Sequence, residues 1–357
     1  MRRGFVFLLF TLWCMCACMA SKPAEGVGGP DETGVRPAFM WNLDFRSVFD
    51  NRECDDRYTS NRTYFFTQLS PEIGIAVRGG RHRVMGGVVW TQPIGCEWEG
   101  HKIQPRIYYM YKVPRWEFAM GILPKDLLIR PLPNYIESDS AGYFQRSVRG
   151  AMVQHMSRQW YFEAMIDWRG MQSHTRREAF CLIAQGEWMP EKKVPVAGAL
   201  LMLNHLARTE QASTDQHVID NFIFNPYAGV ELGQYVAPLD SLSVRAGLLA
   251  SMTRDRGEGS WRNAAGLWLD MAVSWWRLSL MNTLYLSDKP LYPLYARYGM
   301  LLNDGEPYYA SSFYNRTTLK GRILSWRGIV SLDAALDFNL ASSNFSFYQR
   351  LLLDIRF

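Results

Sequence analysis

The sequence predicts an all-β chain that forms a transmembrane, antiparallel, up-and-down β-barrel of about 16 strands, within a range of about 14 to 16. Three observations predict this fold: a two-residue alternation of apolar and polar side chains, connections that are alternately long and short, and a final strand that ends in Phe357. A soluble β-sandwich or β-helix would account for the alternation, but not for the connections and the terminal phenylalanine as well.

The final segment, 345–357, shows the alternation most clearly. Its odd positions are apolar except for Gln349, and its even positions are mostly polar or charged. Neighbouring side chains of a strand point to opposite faces, so this period of two indicates a strand, and a run of this length suits a tilted membrane strand. Such segments lie at about 40–49, 64–78, 82–92, 103–113, 115–123, 146–157, 159–169, 177–188, 195–207, 221–233, 241–252, 261–273, 275–287, 313–323, 327–340 and 345–357.

The connections between these segments alternate in length. Long gaps follow most odd-numbered segments, and short gaps such as Pro114, Arg158 and Ser274 follow even-numbered ones. Outer-membrane barrels have short periplasmic turns and longer outer loops, so both termini are expected in the periplasm. Lipid offers no hydrogen-bond partners to an open sheet edge, so the last strand is expected to close against the first.

The composition favours a barrel over a bundle of membrane helices. After the N-terminal region, no stretch approaches the roughly 18 consecutive apolar residues that a membrane-spanning helix requires. Aromatic residues make up 14% of the chain, and girdles of Trp, Tyr and Phe at the two membrane interfaces would explain this content. A barrel of about 16 strands has a lumen wide enough to hold water.

The first 20 residues have the layout of a secretory signal peptide, with Arg2 and Arg3 before an apolar stretch and a cleavage site at Ala20. The alternative is a lipoprotein signal, in which Cys18 would become the acylated first residue. Residues 21–38 are predicted to form a flexible periplasmic lead, and residues 39–357 the barrel. Without the signal peptide the chain has 37 basic and 34 acidic residues, a balance that predicts no nucleic-acid partner.

Several phrases of the sequence resemble a group of uncharacterised outer-membrane proteins of Bacteroides-type Gram-negative bacteria. The resemblance extends over most of the mature chain and contains no catalytic signature. It implies a barrel in the outer membrane and carries no activity over to this protein. The phrases are Phe45–Glu53, Thr67–Gly74, His82–Gly87, Pro290–Gly299, Tyr308–Tyr309 and Tyr314–Thr317.

Charged residues on the polar faces of the predicted strands are the candidates to line the lumen. On the lipid face, each Arg or Lys would cost roughly 2 to 4 kcal/mol near the membrane midplane. Inside a barrel, the same charges would face water and one another. The candidates are Asp44, Arg46, Glu117, Glu163, Asp167, Arg245, Asp270, Asp333, Asp337, Arg350, Asp354 and Arg356.

These features predict a porin-like channel or transport barrel for small hydrophilic solutes, with no cofactor and no enzymatic activity. The tyrosine-rich connection 288–312 is expected either to fold into the lumen as a constriction or to cap the barrel. The expected partners are outer-membrane lipid and, through the strand that ends at Phe357, the barrel assembly machinery.

Two other functions stay open. Outer-membrane phospholipases A place a catalytic His two residues before the nucleophilic Ser, and His155 and Ser157 repeat that spacing on one strand face. A barrel enzyme acting on lipids is therefore the first alternative, although the residues after Ser157 depart from that family and the pair falls at a short connection. The second alternative is a scaffold or anchoring barrel with a plugged lumen.

Three cysteines follow the signal region. Cys54 and Cys96 fall in predicted outer loops, an oxidising location in which a disulfide between them would persist. The alternative is two unrelated thiols. Cys181 lies within a predicted strand, where its side chain is expected to serve packing.

Overall fold

The chain forms a closed sheet in which each strand pairs with its neighbours in sequence and the first strand pairs with the last. This computed structural model describes residues 36–55, 58–96, 101–190, 194–211 and 216–357. The predicted signal peptide 1–20, the alternative acylation at Cys18 and the predicted lead up to residue 35 lie outside the described residues. Among the described residues, no helix is long and apolar enough to cross a membrane.

The predicted barrel of 16 antiparallel strands is confirmed, and each predicted segment corresponds to one strand. The strands are β1 (Ala38–Asp55), β2 (Arg62–Val77), β3 (His82–Pro93), β4 (Lys102–Val113), β5 (Trp116–Pro124), β6 (Ser147–Met156), β7 (Trp160–Gly170), β8 (Ala179–Trp188), β9 (Pro195–Leu206), β10 (Ile219–Glu231), β11 (Ser241–Asp255), β12 (Trp261–Trp275), β13 (Leu278–Ser287), β14 (Phe313–Trp326), β15 (Val330–Ala341) and β16 (Asn344–Arg356).

Closure joins the two terminal strands. β1 pairs with β16 in an antiparallel register that runs from Asp44 opposite Arg356 to Asp55 opposite Phe345. Beyond Arg356, the backbone N–H of Phe357 donates to the carbonyl of Leu43 at 3.0 Å. The two edges that a linear sheet would leave unpaired therefore satisfy one another.

The barrel has two unlike ends. The connections that follow odd-numbered strands meet at one end, called here the loop end, and those that follow even-numbered strands meet at the turn end. Seven of the nine exposed tryptophans in the described part of the chain lie on the outside of the barrel at or near the turn end, as in the aromatic girdle of a membrane interface. They are Trp41, Trp116, Trp160, Trp188, Trp275, Trp276 and Trp326.

Two glycines face one another across β5 and β6. Gly121, with φ +130°, and Gly150, with φ +157°, are register partners. A Cβ at Gly121 would lie 2.3 Å from the carbonyl oxygen of Ile107, and one at Gly150 would lie 2.4 Å from that of Ile166. The wall therefore requires glycine here, just before the β5–β6 connection leaves the sheet.

We expect Gly121→Val to destabilise the barrel by about 1 to 3 kcal/mol, because the added side chain must displace backbone as well as adopt a strained φ. The measurement is the heating midpoint at which the folded barrel changes its electrophoretic mobility. Gly86→Val is the control, because a Cβ at Gly86 meets nothing within 4 Å. Equal midpoints for the two variants would contradict the prediction.

Candidate functional site in the barrel lumen

Two connections from the loop end fold into the lumen. Inserted loop A, residues 125–146, follows β5 and contains helix α1 (Asp139–Phe144) and the 3-10 turn Lys125–Leu127. Inserted loop B, residues 288–312, follows β13 and contains helix α2 (Tyr295–Tyr298) and the 3-10 turns Gly299–Leu301 and Pro307–Ala310. Residues 288–312 were expected either to constrict the lumen or to cap the barrel, and the structure shows that they constrict the lumen.

Tyrosines tie the two inserted loops to each other and to the wall. The Tyr292 hydroxyl donates to the carbonyl of Tyr135, and the Tyr309 hydroxyl donates to Asn134 Oδ1 at 2.7 Å. Across the lumen, the Tyr135 hydroxyl donates to Asn225 Oδ1 on β10 at 2.8 Å. These three tyrosines are almost fully buried, and burial raises the pKa of each of them well above its usual value. They therefore stay neutral and serve as packing groups with one polar end.

The central ionic cluster joins inserted loop A to the wall. Asp139 in α1 lies 2.6 Å from Arg316 on β14 and 3.3 Å from Arg350 on β16. Both guanidinium groups also contact Asp337 of β15, at 2.9 Å and 2.5 Å. Burial alone would raise the pKa of Asp139, but Arg316 and Arg350 outweigh burial and hold this pKa well below its ordinary value.

Glu306 of inserted loop B completes this central cluster. Its Oε1 accepts from the backbone N–H of Asp139 at 3.0 Å and lies 3.6 Å from Arg316, whereas its buried Oε2 has no hydrogen-bond partner. Burial and the neighbouring charge of Asp139 raise the pKa of Glu306. Deprotonation of this side chain in the folded protein is therefore unfavourable.

We expect Glu306→Gln to stabilise the protein at pH 8 but to change little at pH 4. A carboxyl whose pKa is raised by folding contributes stability below its unfolded pKa, and this contribution is lost as pH rises through the raised value. Glutamine keeps the oxygen that accepts from Asp139 and does not titrate. The measurement is the thermal midpoint in detergent at both pH values. Glu258→Gln, in an exposed connection, is the control, and a Glu306→Gln midpoint below that of wild type at pH 8 would contradict the prediction.

A second ionic cluster lies nearer the turn end. Glu187 of β8 is fully buried and lies 2.6 Å from Arg130 of inserted loop A and 3.2 Å from Arg245 of β11. It also accepts from the Tyr227 hydroxyl at 2.9 Å. Arg245 extends the cluster to Glu231, 2.5 Å away. The carboxylates are thus matched by guanidinium groups, and the cluster holds inserted loop A on this side as well.

A cavity of about 510 Å³ lies between the two ionic clusters. Arg130, Glu187 and Arg245 line one side, and Asp139, Arg316 and Arg350 line the other. The remaining lining is mostly aromatic or uncharged. It includes Tyr135, Tyr161, Tyr227, Trp268, Asp270 and Thr283.

The predicted lumen residues occupy the strand faces that carry the buried side chains. The structure brings Asp337 and Arg350 together in the central cluster, and it places Arg245 in the second cluster with Asp270 opposite it in register. The others pair separately. Arg46 contacts Asp354, Glu117 contacts Lys112, Asp333 contacts Lys320 and Arg322, Glu163 accepts from Gln154 and Gln185, Asp167 accepts from the backbone of Arg149, and Asp44 lies opposite Arg356 in register.

Sequence reasoning missed the residues that organise the lumen. Arg316 and Glu187 lie within predicted strands, on the faces that carry the buried side chains, but the neighbours of Arg316 are the polar Asn315 and Thr317, so the two-residue period is weak there. Asp139 and Glu306 lie in connections that have no period, and no sequence signal pointed to them. The described part of the chain offers no cluster of His, Cys, Asp or Glu side chains placed to hold a metal ion.

The disulfide that the sequence allowed is absent. Cys96 is an exposed free thiol, so it forms no bridge to Cys54. Cys96 lies just after β3, and Cys54 lies near the end of β1, within its pairing to β16.

His155 and Ser157 serve a turn at the tryptophan girdle. The His155 ring stacks on Trp160 with 4.2 Å between ring centroids, and Trp116 packs edge-on against it with 4.5 Å between centroids. The Ser157 hydroxyl donates to the carbonyl of Trp160 at 2.9 Å. This hydroxyl therefore closes the β6–β7 turn, and the phospholipase-like spacing finds no support in the geometry.

The sequence profile of one family, described as lipid A 3'-O-deacylase-type, matches residues 36–356. The chain belongs to the lipid A 3'-O-deacylase-type family. The match spans the whole barrel from the start of β1 to the end of β16, so the expected membership of an outer-membrane barrel family is confirmed. No curated protein matches the chain.

Solved structures similar to this barrel include outer-membrane proteins of Pseudomonas. OprB of Pseudomonas putida is 8% identical, with a TM-score of 0.52 over 89% of this chain and 94% of its own. The outer membrane protein OpdK of Pseudomonas aeruginosa is 11% identical, with a TM-score of 0.51 over 90% of this chain and 98% of its own. At this identity the likeness establishes the fold, which is that of an integral outer-membrane barrel.

Membership of the lipid A 3'-O-deacylase-type family corrects one prediction. The sequence predicts a protein without enzymatic activity. This prediction is wrong for the family to which the chain belongs, because the family is described by a deacylase activity. The physical reason for the error is that a strand period reports which face meets lipid and carries no information about reactivity.

Proposed function

We propose that the protein passes small hydrophilic solutes through its lumen, along a route narrowed by inserted loops A and B. The observation that carries this proposal is the cavity of about 510 Å³ between two paired ionic clusters, at the centre of a barrel of 16 strands. A barrel of this size is wide enough for water, and the inserted loops reduce it to the scale of a small solute.

The proposed orientation places the turn end and both termini in the periplasm and the loop end outside the cell. Short turns on the periplasmic side and long loops outside are the usual arrangement of such barrels. We infer that the lipid of the outer membrane meets the exposed apolar side chains of the wall. We also infer that the barrel assembly machinery receives the strand that ends at Phe357.

Conductance of the purified protein in a planar bilayer tests the proposed route. We expect small ohmic steps, because the inserted loops leave a narrow path, and weak ion selectivity, because guanidinium and carboxylate groups alternate along it. Silent bilayers that contain correctly folded protein would count against solute passage.

Acyl-ester hydrolysis on a lipid is the second candidate, favoured by the family match over residues 36–356. At the loop end, His217 Nδ1 lies 2.8 Å from Asp255 Oδ1, and Arg297 lies 3.1 Å from the other oxygen of Asp255. Gly257 leaves room for the imidazole ring, since a Cβ there would lie 2.1 Å from His217 Cε1. A histidine oriented by a carboxylate can take a proton from water as water attacks an ester carbonyl, which releases a fatty acid and an alcohol.

The test is mass spectrometry of lipid A after incubation with the protein. Loss of one ester-linked acyl chain from lipid A, abolished by His217→Ala, would support this second function. His174→Ala is the matched control, because His174 lies in another exposed connection, 3.4 Å from Glu210. Unchanged lipid A with wild-type protein would eliminate this candidate.

A further inference from the structure

We propose that the lumen cavity is a binding site for a neutral polyhydroxylated solute, a saccharide of one or two rings. This inference rests on the proposed passage of small hydrophilic solutes and names their chemical class. The cavity of about 510 Å³ falls within the usual range of small-molecule sites, roughly 300 to 1,000 Å³.

The pairing of charges argues against a strongly charged ligand. Arg130 and Arg245 already contact the carboxylates of Glu187 and Glu231, and Arg316 and Arg350 already contact Asp139 and Asp337. An anion or a cation would be attracted by one member of each pair and repelled by the other. A hydroxyl group both donates and accepts, so a polyol can use both members of a pair.

Asp270 supplies an acceptor that the protein leaves mostly unused. It lines the cavity, and its carboxylate accepts one side-chain hydrogen bond, from Thr283 Oγ1 at 2.8 Å. Although Arg245 lies opposite it in register, the guanidinium of Arg245 is directed to Glu187 and Glu231. Two vicinal hydroxyls could bond to this carboxylate, as carboxylates have about four acceptor sites.

The aromatic lining supplies the apolar surface that a sugar ring requires. Tyr227 and Trp268 both line the cavity, with 5.7 Å between their ring centroids and an angle of 56° between their planes. The bond from the Tyr227 hydroxyl to Glu187 fixes the orientation of this ring. The C–H face of a pyranose can therefore pack on an aromatic ring while its hydroxyls reach Asp270 and the arginines.

Calorimetric titration of the full barrel in detergent, with glucose, glucuronate and glucosamine, tests the charge argument, because the three share one ring and differ in charge. We expect saturable binding of glucose, with glucuronate binding at least tenfold more weakly and glucosamine no more tightly than glucose. The carboxylate of Asp270 attracts an ammonium group, while the arginines of both clusters repel it. Tighter binding of either charged sugar would overturn the inference, and so would the absence of saturable binding for glucose and for the two-ring sugar maltose.

Two variants locate the site. Asp270→Leu should weaken glucose binding at least tenfold, and Asp333→Leu is the control, because Asp333 lies in the lumen outside the cavity lining and contacts Lys320 and Arg322. Ala272→Trp fills the cavity without removing a polar group and should abolish binding. Wild-type affinity in a folded Ala272→Trp barrel would place the sugar elsewhere and overturn the inference.

Swelling of liposomes that contain the barrel separates this inference from the proposed function. Passage of glucose without saturable binding would overturn the saccharide site and leave solute passage standing. Binding without passage would overturn solute passage and support a closed sugar-binding barrel.

Discussion

Replacement of residues 291–309 in inserted loop B by a short Gly-Ser linker is expected to raise the single-channel conductance severalfold. The segment contributes Tyr292, Tyr308 and Tyr309, which are buried at the centre of the lumen, and a barrel of about 16 strands without such a filling encloses an aqueous channel. The measurement is the size of conductance steps in a planar bilayer.

The control is an equivalent linker in place of residues 171–175, in the connection between β7 and β8 at the same end of the barrel. This connection is exposed at Met171, and its replacement should leave the conductance unchanged. If the two linkers have the same effect, the tyrosines of inserted loop B do not limit the route.

Arg316→Met is expected to cost about 3 to 5 kcal/mol of stability and to loosen the attachment of inserted loop A to the wall at α1. The change leaves Arg350 as the one guanidinium in contact with the two buried carboxylates of Asp139 and Asp337. One buried negative charge is then uncompensated, which is far more costly than the loss of an exposed pair. The measurements are the thermal midpoint in detergent and the rate at which trypsin cuts after Lys125 and Arg146, the latter at the end of inserted loop A.

Arg322→Met is the matched control on the same strand. Arg322 is about half exposed and its partner Asp333 keeps Lys320 at 2.8 Å, so the cost is expected to be at most about 1 kcal/mol. Similar midpoints and trypsin rates for the two variants would show that the central cluster does not hold inserted loop A.

The wall of the barrel could be predicted from the sequence because every second residue of a membrane strand faces lipid and is therefore apolar. In β16 the apolar side chains of Phe345, Leu351 and Leu353 alternate with Ser346 and Arg350, and the observed strand follows that period. The prediction for β1 was too short, at 40–49 instead of Ala38–Asp55. The last residues of β1, towards the loop end, are mostly polar. The alternation of apolar and polar side chains therefore ends before the backbone pairing of the strand does.

The interior of the barrel could not be predicted in the same way. The period indicated that Arg350 and Asp337 point inward, but not that both meet in one cluster, because a contact between strands depends on register and closure. Asp139 reaches that cluster from a helix of six residues in a connection, where no repeating environment selects residue types. Contacts between distant segments, such as Tyr292 with Tyr135, depend on the tertiary fold alone.

The contact between the inserted loops has a consequence for how the route could open. Gly305 of inserted loop B sits so close to inserted loop A that a Cβ there would lie 2.8 Å from the Tyr135 backbone, and both loops share the carboxyl–guanidinium cluster around Arg316. Displacement of one loop breaks the contacts that hold the other, so the two loops are expected to move together. Current through one barrel should therefore switch between two levels, with no intermediate step that corresponds to the departure of a single loop.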